Sequence, residues 1–318
     1  MYRLFAPALV NVITAAAIPL WATVAVAKPV FPTGLRVGLE LPAGLTVSRR
    51  FPGFEDPARH VAVAIFELPA SGYDKLIRSA TADQQDKMTA ITKGPFPLAA
   101  GSGYLLSGTA QKDGKPVHRW FLIAKPTDDP DQKTDGVTAL IRADVPKDAQ
   151  AIYTDSVVRK MLASISFRPT PIKELLGLLP FELKDLAGMR VVKVMPGGAV
   201  LVDGSGSNLD KQPYAIVAVG RGGPSSADLR PRFASDLLRA APVNDLTITS
   251  SEVMRISGMP GFEIRAKGKN LHGDAVTLVQ WLRFGTSGFL RVVGVTPQND
   301  WDKMFNRFRA VRDGVEFR

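Results

Sequence analysis

The stretch from Gly103 to Phe167 is written twice in this chain. The first copy opens with Gly103-Tyr104-Leu105-Leu106 and turns at Lys112-Asp113-Gly114-Lys115. It runs on as Val117-His118-Arg119-Trp120-Phe121-Leu122-Ile123. After an acidic loop it resumes at Gly136-Val137-Thr138-Ala139-Leu140-Ile141, and a helical segment closes it at Ile165-Ser166-Phe167. The second copy begins at Gly261-Phe262-Glu263-Ile264 and turns near His272-Gly273-Asp274. It runs from Val276 to Leu282, resumes at Gly288-Phe289-Leu290, and closes at Val315-Glu316-Phe317. On this alignment Trp120 answers Trp281, Gly136 answers Gly288 and Phe167 answers Phe317. A repeated unit with its own apolar strands and closing helix buries its own core, so the chain is expected to fold as two similar modules in tandem. A length of 318 residues suits two such units.

Each copy is preceded by matching strand signals. In the first, Val37 to Leu41 and Leu45 to Ser48 read as short strands separated by the turn Pro42-Ala43-Gly44, and Phe51 to Asp56 reads as a loop. His60 to Leu68 reads as a buried strand, and Ser71 opens a helical region reaching toward Met88. The last helix of this module takes Asp148 as its cap, with Tyr153, Val157, Met161 and Ile165 at four-residue spacing. In the second module Met189 to Val194 and Ala199 to Val202 form a hairpin around Pro196-Gly197-Gly198, and Tyr214 to Val219 matches the strand at Val61 to Phe66. Arg232 to Ala241 follows as a helix with Pro231 in its first turn. Asn299 caps the final helix, on which Trp301, Phe305, Phe308 and Arg312 recur at spacings of three and four. Each module thus reads as strand pair, strand, helix, three strands, helix. That order predicts an α+β class, two tandem α/β/α sandwich modules, each a mostly antiparallel sheet of about six strands flanked by helices. The expected division is a signal peptide at 1–27, a first module at 28–168, a stiff linker at 169–171 around Pro169 and Pro171, and a second module at 172–318.

Gly103-Tyr104, the Asp113-Gly114 hairpin, Trp120 and the closing Ile165-Ser166-Phe167, with their counterparts in the second half, resemble the PsbP-like family, also called the Mog-like α/β/α sandwich. The resemblance covers both modules. It implies an antiparallel sheet between helices, and a family made up mostly of accessory, binding or assembly proteins that share no catalytic motif.

Met1-Tyr2-Arg3 is followed by an uncharged run, Leu4 to Ala27, that ends in Val24-Ala25-Val26-Ala27. Small residues at Ala25 and Ala27 suit a signal peptidase, so export and cleavage after Ala27 are expected, with a retained anchor as the alternative. No later run approaches the roughly 18 apolar residues that a helical span needs. The absence of cysteine excludes disulfides, a thiolate nucleophile and thiolate metal sites. The net charge is +10, from 40 Lys+Arg against 30 Asp+Glu, and the excess is spread evenly without a basic block. This argues for a solvated basic surface rather than nucleic-acid binding, and leaves open contact with an acidic partner or an anionic surface.

Candidate chemistry is sparse. His60, His118 and His272 fall in no metal or catalytic motif, and the repeat counterpart of His118 is Val279. No Gly-x-Ser-x-Gly segment exists. Between Asp128 and Gly136, oxygen atoms of Asp129, Asp131 and Asp135 form a conceivable calcium loop. Lys133, the lack of a closing Glu and the replacement of the loop by Gly285-Thr286-Ser287 in the second copy favour a solvated acidic turn. Gly220 to Ser226 is glycine-rich ahead of a helix but lacks the Lys-Ser/Thr end of a phosphate loop. Arg119 and Gln280 share one repeat position among apolar neighbours and mark either a ligand groove or a helix-layer edge. No cofactor is implied.

The sequence therefore predicts a periplasmic or secreted, non-catalytic protein acting through protein–protein contacts, with no nucleic-acid partner. Two alternatives remain: a hydrolase-type enzyme with a site at the module junction, and a small-ligand or anion carrier. N-terminal sequencing of the exported chain is expected to begin at Lys28; recovery of Met1 in a membrane fraction identifies a retained anchor instead.

Overall fold

The computed structural model describes residues 28–81, 88–99, 101–127, 136–206, 208–224 and 226–318; the proposed signal peptide lies outside them. The first module runs β1 (Val37–Gly38), β2 (Thr46–Val47), β3 (Gly53–Asp56), β4 (Val61–Pro69), α1 (Gly72–Thr81), β5 (Met88–Leu98), β6 (Gly101–Lys112), β7 (Lys115–Pro126), β8 (Val137–Pro146), α2 (Asp155–Ala163) and β9 (Ser166–Phe167). The short helix α3 (Ile172–Gly177) follows. Then come β10 (Phe181–Leu183), β11 (Arg190–Met195), β12 (Gly198–Val202), β13 (Tyr214–Arg221), α4 (Arg230–Leu238), β14 (Asn244–Ile256), β15 (Met259–Lys269), β16 (Ala275–Phe284), β17 (Gly288–Pro297), α5 (Trp301–Asp313) and β18 (Val315–Phe317).

Two seven-stranded antiparallel sheets result, in the orders β2-β3-β4-β8-β7-β6-β5 and β11-β12-β13-β17-β16-β15-β14. The two orders are the same permutation, so the chain is an α+β protein of two modules with one topology. In each, the opening and closing strands pair apart from the main sheet, β1 with β9 and β10 with β18. The sheets hold seven strands where the sequence suggests about six. In the second module the additional strand is the outer β14; in the first they are β3 and the outer β5, while Val37–Gly38 stays outside the main sheet, and both outer strands are exposed along most of their length. Pro95 and Pro97 sit in β5, where an edge strand tolerates a missing donor.

The repeat holds residue by residue across the central strands. Trp120 lies opposite Ser107 and Ala143, and Trp281 opposite Glu263 and Val292. Ala64 lies opposite Arg142, and Ala218 opposite Arg291. Counting back seven residues from Ala143 and from Val292 reaches Gly136 and Gly285, so the glycine match to Gly288 is three residues out of register. Each sheet faces two helices. On the α2 side the first core gathers Trp120, Leu122, Ile141, Val158 and Leu162. On the α5 side the second gathers Trp281, Val292, Met304, Phe308 and Val311. Burying one such indole removes about 150–250 Å² from water, worth about 4–6 kcal/mol at roughly 25 cal/mol per Å². The opposite faces carry α1 over Leu106 and Ile123, and α4 over Phe262, Ile264 and Leu278.

Three local expectations are corrected. Gly53–Asp56 is a buried strand, not a loop, with Phe54 fully enclosed. Gly53 has φ +138°, and a Cβ there would meet the Val63 carbonyl oxygen at 2.0 Å, so only glycine lets the strand dock. The helix after Ser71 covers Gly72–Thr81 among the described residues, consistent with the expected helical region, and Met88 belongs to β5. Helix α2 is capped by Thr154, whose hydroxyl accepts from the Val157 N–H, whereas Asp148 lies in the 3-10 turn Lys147–Ala149. Asn299 likewise sits in a 3-10 turn, one residue before the cap position of α5. Tyr153 ties the start of α2 to β3 by donating to Asp56 at 2.8 Å, and burial with that carboxylate pushes its phenol up to about 12.

His118 lies on the α2 face, its ring centroid 4.1 Å from that of Trp120 and its Nε2 without a partner among the described residues. Burial holds its imidazole below the ordinary 6.5; Asp155 pulls it up and Arg159 pushes it down. The folded state prefers the neutral ring, so on acidification the unfolded chain takes the proton first. Stability from this group is intact above about pH 6.5 and is lost as pH falls below it. The thermal midpoint is expected to drop between about pH 7 and 5.5, with a shallower slope in His118→Gln; identical slopes assign the pH dependence to other groups.

Candidate functional site

The strands β7 and β8 bring Arg119, Arg142 and Asp144 onto the face away from α2. Asp144 is almost fully buried and accepts from Arg119 through Nε on Oδ1 at 2.5 Å and Nη2 on Oδ2 at 3.1 Å, with Arg142 Nε 3.5 Å from the same Oδ2. Beside this network, reached by Arg142 but lined by neither Arg119 nor Asp144, opens a basin of about 560 Å³. Its floor is Ala62, Ala64, Phe66 and Val117, and Phe66 is 46% exposed, which leaves an apolar surface in contact with water. Its rim carries Arg50, His60, Lys112, Lys115 and Arg142, against Asp113 and Asp148.

Local sequence explains the rim. Asp113 and Gly114 both have positive φ, the conformation of a two-residue hairpin turn. That turn leaves Lys112 and Lys115 directly opposite each other as the last pair of the ladder. Like charges in that relation cost stability, so the pair is not there to hold the hairpin together. Arg50 donates to Glu55 through Nε at 2.9 Å and through Nη2; this hydrogen bonding holds the Glu55 carboxyl below its usual range.

The same corner of the second module is filled. Between β3 and β4 the chain has only Pro57 to His60, whereas between β12 and β13 it has Asp203 to Pro213. The 3-10 turn Leu209–Lys211 in that longer connection folds over the corner, with Leu209 against the core and Asp210 O accepting from Asn270 Nδ2 at 3.0 Å. A smaller concavity of about 340 Å³ remains there, lined by Asp210, Asp274, Tyr214 and Lys211. Its charge is acidic where that of the first module is basic.

Arg119 and Gln280, paired by sequence, do occupy the same register position, one in each sheet. Gln280 is 1% exposed: Nε2 donates to Ala234 O of α4 at 2.8 Å, and Oε1 accepts from Arg291 Nε at 2.8 Å. Arg291, the counterpart of Arg142, also donates to Leu237 O, and burial holds its guanidinium below the ordinary value. Thus α4 is clamped to the sheet where the first module leaves its arginines to Asp144. The residues Asp129, Asp131 and Asp135 lie outside the described residues. Beside Pro169, Arg168 is engaged by Glu174 at 2.7 Å through both Nη atoms and by Leu35 O at 2.9 Å, and Glu174 also accepts from the Gly34 N–H. No helix among the described residues is long and apolar enough to cross a membrane. The basin was not read from the sequence; the signal for it was the unequal length of the two connections.

No protein-family model and no curated protein matches this chain. Among solved structures it is similar to LpqN of Mycobacterium tuberculosis, involved in cell envelope biogenesis, at 11% identity over 42% of this chain and 81% of that one, with a TM-score of 0.34. Cyanobacterial PsbP of Synechocystis matches at 13% identity over 41% of this chain and 82% of that chain, with a TM-score of 0.31. The T6SS immunity protein TplEi of Pseudomonas aeruginosa matches at 11% identity over 91% and 96%, with a TM-score of 0.28. Scores this low carry no functional assignment, and the architecture rests on the chain's own strand order.

Removing Asp144 leaves Arg119 without its counter-charge in a largely dry position. Asp144→Ala is expected to cost about 3 kcal/mol in chemical unfolding. Arg119→Gln with Asp144→Val installs the pair that the second module uses, Gln280 and Val293, and is expected to recover more than half of that loss. A double variant no more stable than Asp144→Ala contradicts the assignment.

Proposed function

We propose that this chain is an exported, non-catalytic binding protein, and that the corner basin of its first module receives an extended acidic segment of a protein partner. One observation carries the reading: the corner that the second module fills with its own chain is left open in the first, floored by exposed Phe66 and rimmed by Lys112, Lys115, Arg50 and Arg142. An apolar floor gives a partner contact area, and the cations select its charge and speed its approach. The uncharged N-terminal run ending in Ala25-Val26-Ala27 supports an extracytoplasmic, envelope-accessory role. On this reading residues 28–168 and 172–318 act as the two folding units, with Pro169 to Pro171 between them.

The test uses a fluorescein-labelled peptide of alternating Glu and Leu, followed by anisotropy on the full mature chain. Binding that weakens by roughly tenfold in Lys112→Glu/Lys115→Glu, and again on raising salt, supports the proposal. Equal binding of a Lys-Leu peptide, or indifference to the charge reversal, overturns it.

A further inference from the structure

The second module has a separate concavity on the α5 side of its sheet, holding about 400 Å³. It is independent of the basin, which belongs to the other module and the other face. Trp301 lines it. The indole is half-buried and braced: its ring centroid lies 5.1 Å from that of Phe305, which lies 5.8 Å from that of Trp281. Arg265 stacks on Phe305 at 4.4 Å and is fixed by Glu263 at 2.6 Å. An indole braced by a tilted aromatic contact beside a cavity presents a flat apolar face at low entropic cost.

Around that face stand hydrogen-bonding groups of mixed kind: the hydroxyls of Ser250 and Thr277, the Gln298 amide, the Asp302 carboxylate and the Lys267 ammonium. Ser250 Oγ is shut off from bulk solvent and has no hydrogen-bond partner in the described structure, a state that costs stability unless something else satisfies it.

The first module offers nothing equivalent. Counting back sixteen residues from Phe317 and Phe167 matches Trp301 to Ala151; α2 begins only at Asp155, so Trp301 stands on an extra first turn of α5. Through the same strand registers Arg265, Lys267 and Thr277 match Thr109, Gln111 and Pro116. The aromatic floor and both cations are therefore features of the second module alone, and neither is needed to build the sandwich.

The geometry points to a binding site for an acidic saccharide: a pyranose ring lies with its C–H face on Trp301, its hydroxyls meet Thr277, Gln298 and Asp302, and its carboxylate meets Lys267 and Arg265. A pyranose has one apolar face and a hydroxylated edge, which is the division that this cavity shows. The cations choose a uronic or similar acid over a neutral sugar.

Saturation-transfer NMR on the full mature chain tests the site, with trigalacturonic acid, maltotriose and adenosine monophosphate as probes. Trigalacturonic acid is expected to bind at about 1 mM or tighter, with the strongest transfer to ring protons. Trp301→Ala is expected to abolish the transfer, Trp301→Phe to retain some of it, and Lys267→Glu to weaken binding by roughly tenfold. Thermal melts of each variant confirm that Met304 and Phe308 still anchor α5. Undiminished binding by folded Trp301→Ala, maltotriose binding as tightly as the acid, tighter binding of the nucleotide, or no transfer from the acid at several millimolar each overturns the proposal. Because the basin variants leave this pocket intact, failure here and failure of the acidic-peptide reading are read separately.

Discussion

A sheet with two faces has to cover both, and a helix is narrower than a sheet of seven strands. Strands lie about 4.8 Å apart, so each sheet is roughly 30 Å wide, whereas a helix with its side chains is about 10 Å across. One helix of nine to thirteen residues per face, as α1, α2, α4 and α5 supply, leaves sheet surface to be covered by something else. What the chain places on that remainder decides what each module can do. The second module spends an eleven-residue connection and a 3-10 turn on one corner and keeps a small acidic hollow. The first spends four residues and keeps a basic basin over exposed Phe66.

The two copies also show which interactions the topology demands and which it leaves free. Both bury a tryptophan at the same register position, and in both the indole N–H must find an acceptor. Trp120 uses Asp155 in the first turn of α2 at 2.9 Å; Trp281 uses Glu263 on the neighbouring strand at 2.6 Å. The apolar contact is fixed and its polar partner is not. On the reverse face the same holds for Arg119 with Asp144 and for Gln280 with Arg291. Buried polar groups need partners, but a given position admits more than one, so two sheets of one register carry different electrostatics.

Much of the scaffold was legible in the sequence because it follows the apolar periodicity: the tandem repeat, the helix with Pro231 in its first turn, the hairpin around Gly197 and the antiparallel order all come from patterns of two and of three to four. Illegible features have other causes. Strands β5 and β14 are edges: β14 half-buries a residue only about every fourth position, β5 alternates only over Gly94–Leu98, and there Pro95 and Pro97 argue against a strand. Phe54 looked like a loop residue because β3 is only four residues long and needs Gly53 to approach Val63. The helix cap was misplaced because Asp148 and Thr154 both suit a cap and only the intervening 3-10 turn decides between them. The glycine match slipped because Gly285 and Gly288 are both available and only the strand register distinguishes them. None of the three cavities was visible, since each is assembled from strands and turns far apart in sequence.

Each module ends where it begins. The pairing of Val37 with Phe167, and of Phe181 with Phe317, brings the two ends of a unit together as an antiparallel pair in a small sheet of its own. A module so closed can be copied end to end without opening the original, which suits a chain built as a tandem duplication. It also sets how the molecule yields to force. Tension along the chain enters the first module at Val37 and leaves at Phe167, which are partners at the same end of the pair. The bonds between them therefore break in succession, as a zipper opens, instead of resisting together in shear. Under load the modules give way at their seams, while the seven-stranded sheets and the cavities they frame are still whole.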